Sequence, residues 1–435
     1  MSTTARVNLW GKTIGAVTLE APGDTASFQY TEEFSSSGIE IAPITMPLSR
    51  EVFSFPALNK QSFHGLPGML ADSLPDKFGN AVIDAWLASK GRLAESFDAV
   101  ERLCYTGKRG MGALEFAPPN STAEASVVVD VPELVDLAGR ILDERANFAS
   151  SLSGSESQKQ AAIHDIVRVS SSAGGARAKA LIAWNKQTHE IRSGQVKAPD
   201  GFTYWLLKFD GITNNKDKEL ADPAGYGLVE YAYYKMAMNA GINMTECRIF
   251  AENGRHHFMT KRFDRTENGD KIHMQSLCGM AHYDFNQPGA YSYEQAMQVV
   301  RRLGLGMKAI EQLFRRMVFN VIARNQDDHT KNIAFLMDRA GNWSLSPAFD
   351  VIYSWNTSGT WTNQHQMSIN GKRDNFTIDD FIACEKSVMM KRGQAKQIVQ
   401  EVQLAVSRWL EFAEEAEIAE GKANQYALGH RRIDF

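Results

Sequence analysis

The sequence predicts an α+β chain of three successive units: a small N-terminal α/β unit, a β-rich lobe with one prominent helix, and a mostly helical lobe. Three observations carry this. The first twenty residues alternate apolar and polar around "GK". A Pro/Ser/Thr-rich stretch, "APPNSTAEAS", interrupts the chain near residue 120. Beyond about residue 266 the apolar period changes from two to roughly 3.6.

Each element follows from its pattern. "ARVNLWGKTIGAVTLE" reads as a β-hairpin, and "SFQYTEEF" and "EVFSFPAL" extend its sheet. "GLPGMLADSLPDKFGNAVIDAWLASKG" opens as a Gly/Pro-punctuated loop and continues as a helix with Phe78, Val82, Ile83 and Trp86 on one stripe. "GMGALEFAPP" returns as a strand before the linker. After it, Leu134, Leu137, Ile141 and Leu142 recur at helical spacing. "IVRVSSSAGGARAKALIAW", "TYWLLKFDG" and "CRIFAENGRHHFMTKRFDR" then form the β-rich stretch. In the last unit Ile310, Leu313, Phe314, Met317, Val318 and Val321 make an i, i+3, i+4 series, and "AKQIVQEVQLAVSRWLEFAEEA" repeats the pattern. The expected boundaries are 1–120, 121–265 and 266–435. A β-rich lobe followed by a helical one places a cleft between them.

Composition narrows the class. Of 435 residues, 43% are hydrophobic and 23% charged, an ordinary globular balance. Net charge is −4 and the pI about 6.2, which is not the electrostatic footprint of a chain that binds DNA by itself. Four cysteines lie far apart with no CxxC pair, which argues against a disulfide framework or zinc site and fits a reducing compartment. No leader-like apolar segment and no uninterrupted apolar run approaching ~18 residues is present, so the expectation is a cytoplasmic protein with no membrane contact.

Four constellations carry chemistry. In "RNQDDHTKN", residues 324–332, Asp327 and Asn332 have the D-x-x-x-x-N spacing, and Asp350 follows in "SPAFDVIYS". Phosphoryl transfer needs this inventory: a carboxylate to orient the attacking hydroxyl and accept its proton, and hard oxygen ligands for Mg²⁺. Asp327 is then the catalytic candidate, while Asn332 and Asp350 are metal candidates; Asp328 is one position off, and His329 is read as bracing the loop. Alone, the spacing also fits a helix end followed by a polar turn.

"SSSAGGARAK", residues 170–179, is a Gly-rich loop between two strands. Gly174 and Gly175 allow a phosphate to approach successive backbone N–H groups, and Arg177 and Lys179 add positive charge. Ser172, Ala173, Gly174, Gly175, Ala176 and Lys179 are the candidate cradle for the nucleotide phosphates. The loop is not a Walker A motif, and a solvated hairpin loop is the plain alternative. Lys208 closes the apolar strand "YWLLK", where a kinase-type lobe holds its phosphate-pairing lysine, and Glu230 on the next helix is its orienting partner. "HHFMTKRFDR" joins the lobes; Phe263 and Asp264 there are candidates for the adenine edge and a ribose hydroxyl. Together, Gly-rich loop, strand Lys, helix Glu, interlobe segment, D-x-x-x-x-N and Asp occur in the order of a protein kinase. The predicted fold is therefore two-lobed and protein-kinase-like, using ATP and Mg²⁺.

"SSSAGGARAKA", "LLKFD", "KRFDR", "RNQDDHTKN" and "SPAFDVIYS", with N-terminal "GLPGMLADSLPDKFGN", resemble the HipA family of bacterial serine/threonine kinases, the toxins of toxin–antitoxin pairs. The resemblance spans nearly the whole chain. It implies that Asp327 is the catalytic aspartate, that Asn332 and Asp350 hold Mg²⁺, that Lys208 meets the α/β-phosphates, and that 261–264 contacts adenine and ribose. It also implies autophosphorylation of a loop serine, at Ser172 or its neighbours Ser170 and Ser171. The implied partner is a small helix-turn-helix antitoxin that bridges the toxin to operator DNA, and the implied substrate is a translation protein such as an aminoacyl-tRNA synthetase. Two other readings remain open from the residues: a small-molecule phosphotransferase of the same fold, and a catalytically silent corepressor of the antitoxin.

Overall fold

The computed structural model describes residues 2–89, 91–118, 177–195, 197–211, 225–252 and 254–435. The Ser170–Ala176 portion of the Gly-rich loop, including Ser172, Ala173, Gly174 and Gly175, lies outside the described residues, as does the helix expected after residue 131.

The N-terminal unit is an antiparallel sheet with helices on its edge and face. Strands β1 (Thr3–Leu9) and β2 (Lys12–Leu19) form the hairpin that the alternation predicts, turning at Trp10 and Gly11, both with positive φ. β3 (Ser27–Tyr30), β4 (Val52–Phe53) and β5 (Leu114–Ala117) complete the order β4-β3-β2-β1-β5. Alternate residues Ala5, Val7 and Leu9 of β1 are fully or almost fully buried, as period-two patterning requires of a one-sided sheet. Short helices α1 (Glu32–Ser35), α2 (Lys60–Phe63) and α3 (Gly68–Ala71) precede α4 (Lys77–Ser89) and α5 (Ala99–Thr106). Helix α5 packs on the sheet and starts with a reciprocal Asp98–Glu101 capping box.

The β-rich lobe is a second antiparallel sheet. Its strands are β6 (Lys179–Trp184), β7 (Ile191–Ser193), β8 (Thr203–Lys208), β9 (Cys247–Glu252) and β10 (Arg255–Lys261), in the order β7-β6-β8-β10-β9. Helix α6 (Tyr226–Asn239) lies across β9 and β10. Contact there is close: a Cβ on Gly227 would stand 2.1 Å from the His256 carbonyl oxygen, so only glycine fits.

A third small sheet is formed by β11 (His273–Ser276), β12 (Ala334–Met337) and β13 (Trp343–Leu345), and the catalytic-loop candidate leads into its middle strand. The helical lobe follows: α7 (Leu277–Ala281), α8 (Tyr293–Arg302), α9 (Met307–Ile322), α10 (Ile378–Ser387), α11 (Gln394–Ser407), α12 (Trp409–Glu415) and α13 (Glu420–Gly429). The stripe Ile310, Leu313, Phe314, Met317, Val318 and Val321 is buried at the centre of the core, so α9 is its axis. The last predicted helical run is broken at Arg408, whose backbone leaves the helical region. The break turns Trp409 into the core, where its indole N–H donates to the Ala423 carbonyl at 2.9 Å. Among the described residues no helix is long and apolar enough to cross a membrane.

Candidate functional site

Three cleft elements meet at Lys208. The lysine ends β8, and its ammonium lies 2.5 Å from Glu230 Oε1 on α6 and 2.5 Å from Asp350 Oδ1. Glu230 is buried and also takes Arg177 Nη1 at 3.1 Å. Lys208, Arg177 and Glu230 are buried together, so each compensates another's desolvation, while Asp350 joins them with a third of its side chain exposed. Burial alone would lower the lysine pKa, but Asp350 and Glu230 outweigh it and hold the ammonium charged. For Asp350 burial opposes ionisation, yet Lys208 and Lys179 pull its carboxyl well below the usual range.

Asp350 sits in the left-handed region, φ +56°, a conformation that aspartate tolerates better than most residues. The segment after β13 reaches it through Ala348, whose N–H donates to the Asn243 carbonyl at 2.8 Å. Lys179 stands opposite Lys208 in the β6–β8 register, and its ammonium is 3.2 Å from Asp76 of the N-terminal unit.

The catalytic-loop candidate leaves α9 at Ala323 and passes through Arg324, also left-handed at φ +59°. Asp327 and Asn332 are tied to one another: the Asn332 amide Nδ2 donates to the Asp327 carbonyl at 2.8 Å. The amide oxygen of Asn332 is thereby oriented away from its own donor. The Asp327 backbone N–H is fixed by Ser354 Oγ at 3.0 Å. Its carboxylate accepts from the Trp361 indole N–H at 2.7 Å and keeps 41% of its side chain exposed. His329 Nε2 is 3.8 Å from the same carboxylate oxygen, beyond hydrogen-bond range.

Asp328 points the other way. Its carboxylate is fully buried and accepts from Tyr293 OH at 2.8 Å, His365 Nδ1 at 2.8 Å and the Gln366 backbone N–H at 2.8 Å. The network ties the loop to α8 and to the segment following Asp350. One aspartate is therefore half-exposed, and its neighbour anchors the loop from within.

Asp264 does not occupy the position expected of a ribose ligand. It is completely buried, and its two oxygens accept from Arg262 Nε at 2.8 Å, Arg262 Nη2 at 2.7 Å, Arg265 Nη1 at 2.8 Å and the Gly112 N–H at 2.7 Å. Burial opposes its ionisation, but the two guanidinium groups hold the carboxyl far below the usual range. Saturated by four donors, it fastens the β-rich lobe to the N-terminal unit. Arg265 reinforces the link through the carbonyls of Gly112 and Gly110, at 3.2 and 3.3 Å. Phe263 is half-buried, with its ring 5.6 Å from that of Phe349, next to Asp350.

The donor set suits a nucleotide-bound Mg²⁺ better than a standing metal centre. Among the described residues no cluster of three His, Cys, Asp or Glu could hold an ion unaided. Asp350 and Asn332 offer hard oxygens, and Mg²⁺ characteristically completes its shell with water and substrate phosphates.

Comparison with known proteins agrees with this geometry. The sequence model of the HipA N-terminal domain matches residues 5–117, and that of the HipA-like C-terminal domain matches residues 171–409. No curated protein sequence matches the chain. A chain of the solved complex described as the Shewanella oneidensis MR-1 toxin–antitoxin system HipA, HipB and its operator DNA superposes with a TM-score of 0.67 at 17% identity. That match covers 98% of this chain and 94% of the other. The Helicobacter pylori proinflammatory kinase CtkA aligns with a TM-score of 0.29 at 11% identity, over 51% of this chain and 91% of its own. The fold is two-lobed, α+β and protein-kinase-like, and with both domain models matched in order on one sequence, the chain belongs to the HipA family.

Proposed function

We propose that this chain is an ATP- and Mg²⁺-dependent protein serine/threonine kinase that acts as the toxin of a toxin–antitoxin pair. The observation that carries the reading is the Lys208 ammonium, 2.5 Å from both Glu230 and Asp350, at the junction of the two lobes. In kinases a strand lysine oriented by a helical glutamate meets the nucleotide phosphates, and a nearby Asp belongs to the metal.

Roles follow from position. Lys208 binds the phosphates, and Lys179 with the Gly-rich loop supports them. Asp327, the half-exposed carboxylate of the loop, orients the attacking serine hydroxyl and takes its proton. Asn332 and Asp350 would hold Mg²⁺, which neutralises charge developing on the transferred phosphoryl group. Phe263, whose ring lies 5.6 Å from that of Phe349, is the proposed contact for the adenine edge.

The regulatory part rests on family membership. Ser172 is the proposed autophosphorylation site, with growth arrest arising from phosphorylation of a translation protein such as an aminoacyl-tRNA synthetase. The solved relative is described in complex with HipB and operator DNA. By analogy a small helix-turn-helix antitoxin is the proposed partner here, and this net-acidic, cytoplasmic chain reaches operator DNA only through it.

The test is transfer of label from ATP by purified chain, to itself and to a cell extract, with Asp327→Asn as the blank. Label on serine within 170–172 supports the reading. No transfer above the blank refutes it, and rapid labelling of a metabolite with no phosphoserine redirects it to a small-molecule phosphotransferase.

A further inference from the structure

Asp76 of the N-terminal unit reaches Lys179 on the β-rich lobe. Asp76 closes the stretch "ADSLPD" that fastens this unit to the rest of the protein. Upstream, Asp72 accepts from the Ser276 backbone N–H and hydroxyl at 2.5 and 2.7 Å, and the Gly68 N–H donates to His282 Nε2 at 3.0 Å. Asp76 itself divides its two oxygens. Oδ1 accepts from the Gly79 N–H at 2.7 Å, the bond that an N-cap makes to the first turn of α4. Oδ2 faces the Lys179 ammonium at 3.2 Å, with the two side chains only 1% and 4% exposed.

Lys179 needs that carboxylate for an electrostatic reason. It is the register partner of Lys208 across β6 and β8, so the two side chains leave the same face of the sheet. Like charges directly opposite destabilise a strand pair. Lys208 is compensated by Glu230 and Asp350; Lys179 is compensated by Asp76. The arrangement repeats itself: each strand lysine on the cleft face has a carboxylate from another element, one from α6 and one from the N-terminal unit. Lys179 is also close enough to the cleft that its charge acts on Asp350.

We propose that Asp76 is a positioning residue for the nucleotide: it holds the Lys179 ammonium toward the phosphates as Glu230 holds Lys208, so that the N-terminal unit completes the phosphate site. The inference rests on the kinase reading above. An ammonium has three donors, so an ion pair with Asp76 that engages at most one of them leaves two for phosphate oxygens. Without the carboxylate, Lys179 is free to swing away from Lys208, its like-charged register partner.

Asn caps a helix about as well as Asp, so Asp76→Asn keeps the bond to Gly79 and removes only the charge. Mg–ATP and adenosine are titrated calorimetrically into the full-length wild type, Asp76→Asn, Lys179→Gln and the double variant. The expected result is about tenfold weaker Mg–ATP binding in Asp76→Asn with adenosine affinity unchanged, and no further loss when it is combined with Lys179→Gln. A purely structural Asp76 would weaken both ligands alike, or leave both unchanged, and either outcome overturns the proposal. So do additive losses in the double variant. If Asp76→Asn does not fold, Asp76→Ser preserves the cap and takes its place in the same comparison. A wild type that binds no Mg–ATP refutes the kinase reading; a wild type that binds it, with an unaffected Asp76→Asn, refutes this inference alone.

Discussion

Asp328 and His365 meet in the interior with both side chains fully buried, Oδ2 and Nδ1 2.8 Å apart. Burial works against the Asp328 charge, but His365, the Gln366 N–H and Tyr293 OH together keep its carboxyl below the ordinary pKa of 3.8. An ionised carboxylate only accepts, so the His365 proton is on Nδ1. Asp328→Ala leaves those three donors buried without an acceptor, and the expected loss is about 3–5 kcal/mol of unfolding free energy. The sign with pH is fixed by the lowered pKa. The stabilisation is present above the unfolded carboxylate value near 3.8 and fades as pH falls through the lower folded value. Denaturant titrations from pH 7 to pH 3 check it: wild type should lose stability toward pH 3 more steeply than Asp328→Asn.

Asp264 separates a binding role from a fastening role. As a ribose ligand it would change nucleotide affinity when altered; as the acceptor of four buried donors it should change stability. Asp264→Asn is expected to cost about 3–5 kcal/mol, because Arg262 and Arg265 lose their common counter-charge. Mg–ATP affinity should stay within about twofold of wild type, since no bond to the cleft is lost. Calorimetric melting and nucleotide titration on the same sample decide the matter. Tenfold weaker binding with an unchanged melt would restore the ribose assignment.

What the sequence discloses here is what local spacing can encode. The hairpin of β1 and β2 is legible because alternation maps directly onto one buried face, and the α9 stripe is legible for the corresponding helical reason. Lys208 and Glu230 stand out because a charged residue at the end of an apolar strand or on an apolar helix face is costly without a partner. Asp264 misleads for the opposite reason. Its local motif suggests a cleft residue, but its partners include Gly112, 152 positions away. Asp76 lies 103 residues from Lys179, in a loop whose Gly/Pro content suggests only a turn. Asp328 gains its task from His365, and Trp361 touches Asp327 across 34 positions. Contacts of that range depend on how the lobes assemble, which no window of residues records.

Trp361 is the indole that meets Asp327, the proposed catalytic carboxylate. Its N–H occupies Asp327 Oδ1 at 2.7 Å and so fixes the rotamer of a half-exposed side chain. Trp361→Phe keeps most of the ring volume and removes the donor. Asp327 then samples orientations unsuited to accepting a hydroxyl proton, and the expected effect is about tenfold lower kcat with little change in KM for ATP. Steady-state transfer at varied ATP measures both. An equal fall in kcat and rise in KM would show instead that the indole shapes the nucleotide site.

Asp350 completes the set because one oxygen has two claimants. In this structure Oδ1 is 2.5 Å from the Lys208 ammonium, and the proposed reaction asks the same carboxylate to hold Mg²⁺. Asp350→Ala should abolish Mg²⁺-dependent phosphate transfer, a loss of at least about 10³-fold, because Asn332 alone offers a neutral oxygen. The fold should survive, since Lys208 keeps Glu230 at 2.5 Å as its buried partner. Raising Mg²⁺ should recover part of the activity in Asp350→Asn, which retains one oxygen ligand, but not in Asp350→Ala. Phosphate transfer measured across a Mg²⁺ series, with far-ultraviolet circular dichroism melts as the control for folding, gives the answer. Full activity in Asp350→Ala would remove this residue from the metal site and leave its contact with Lys208 as a purely structural ion pair between the lobes.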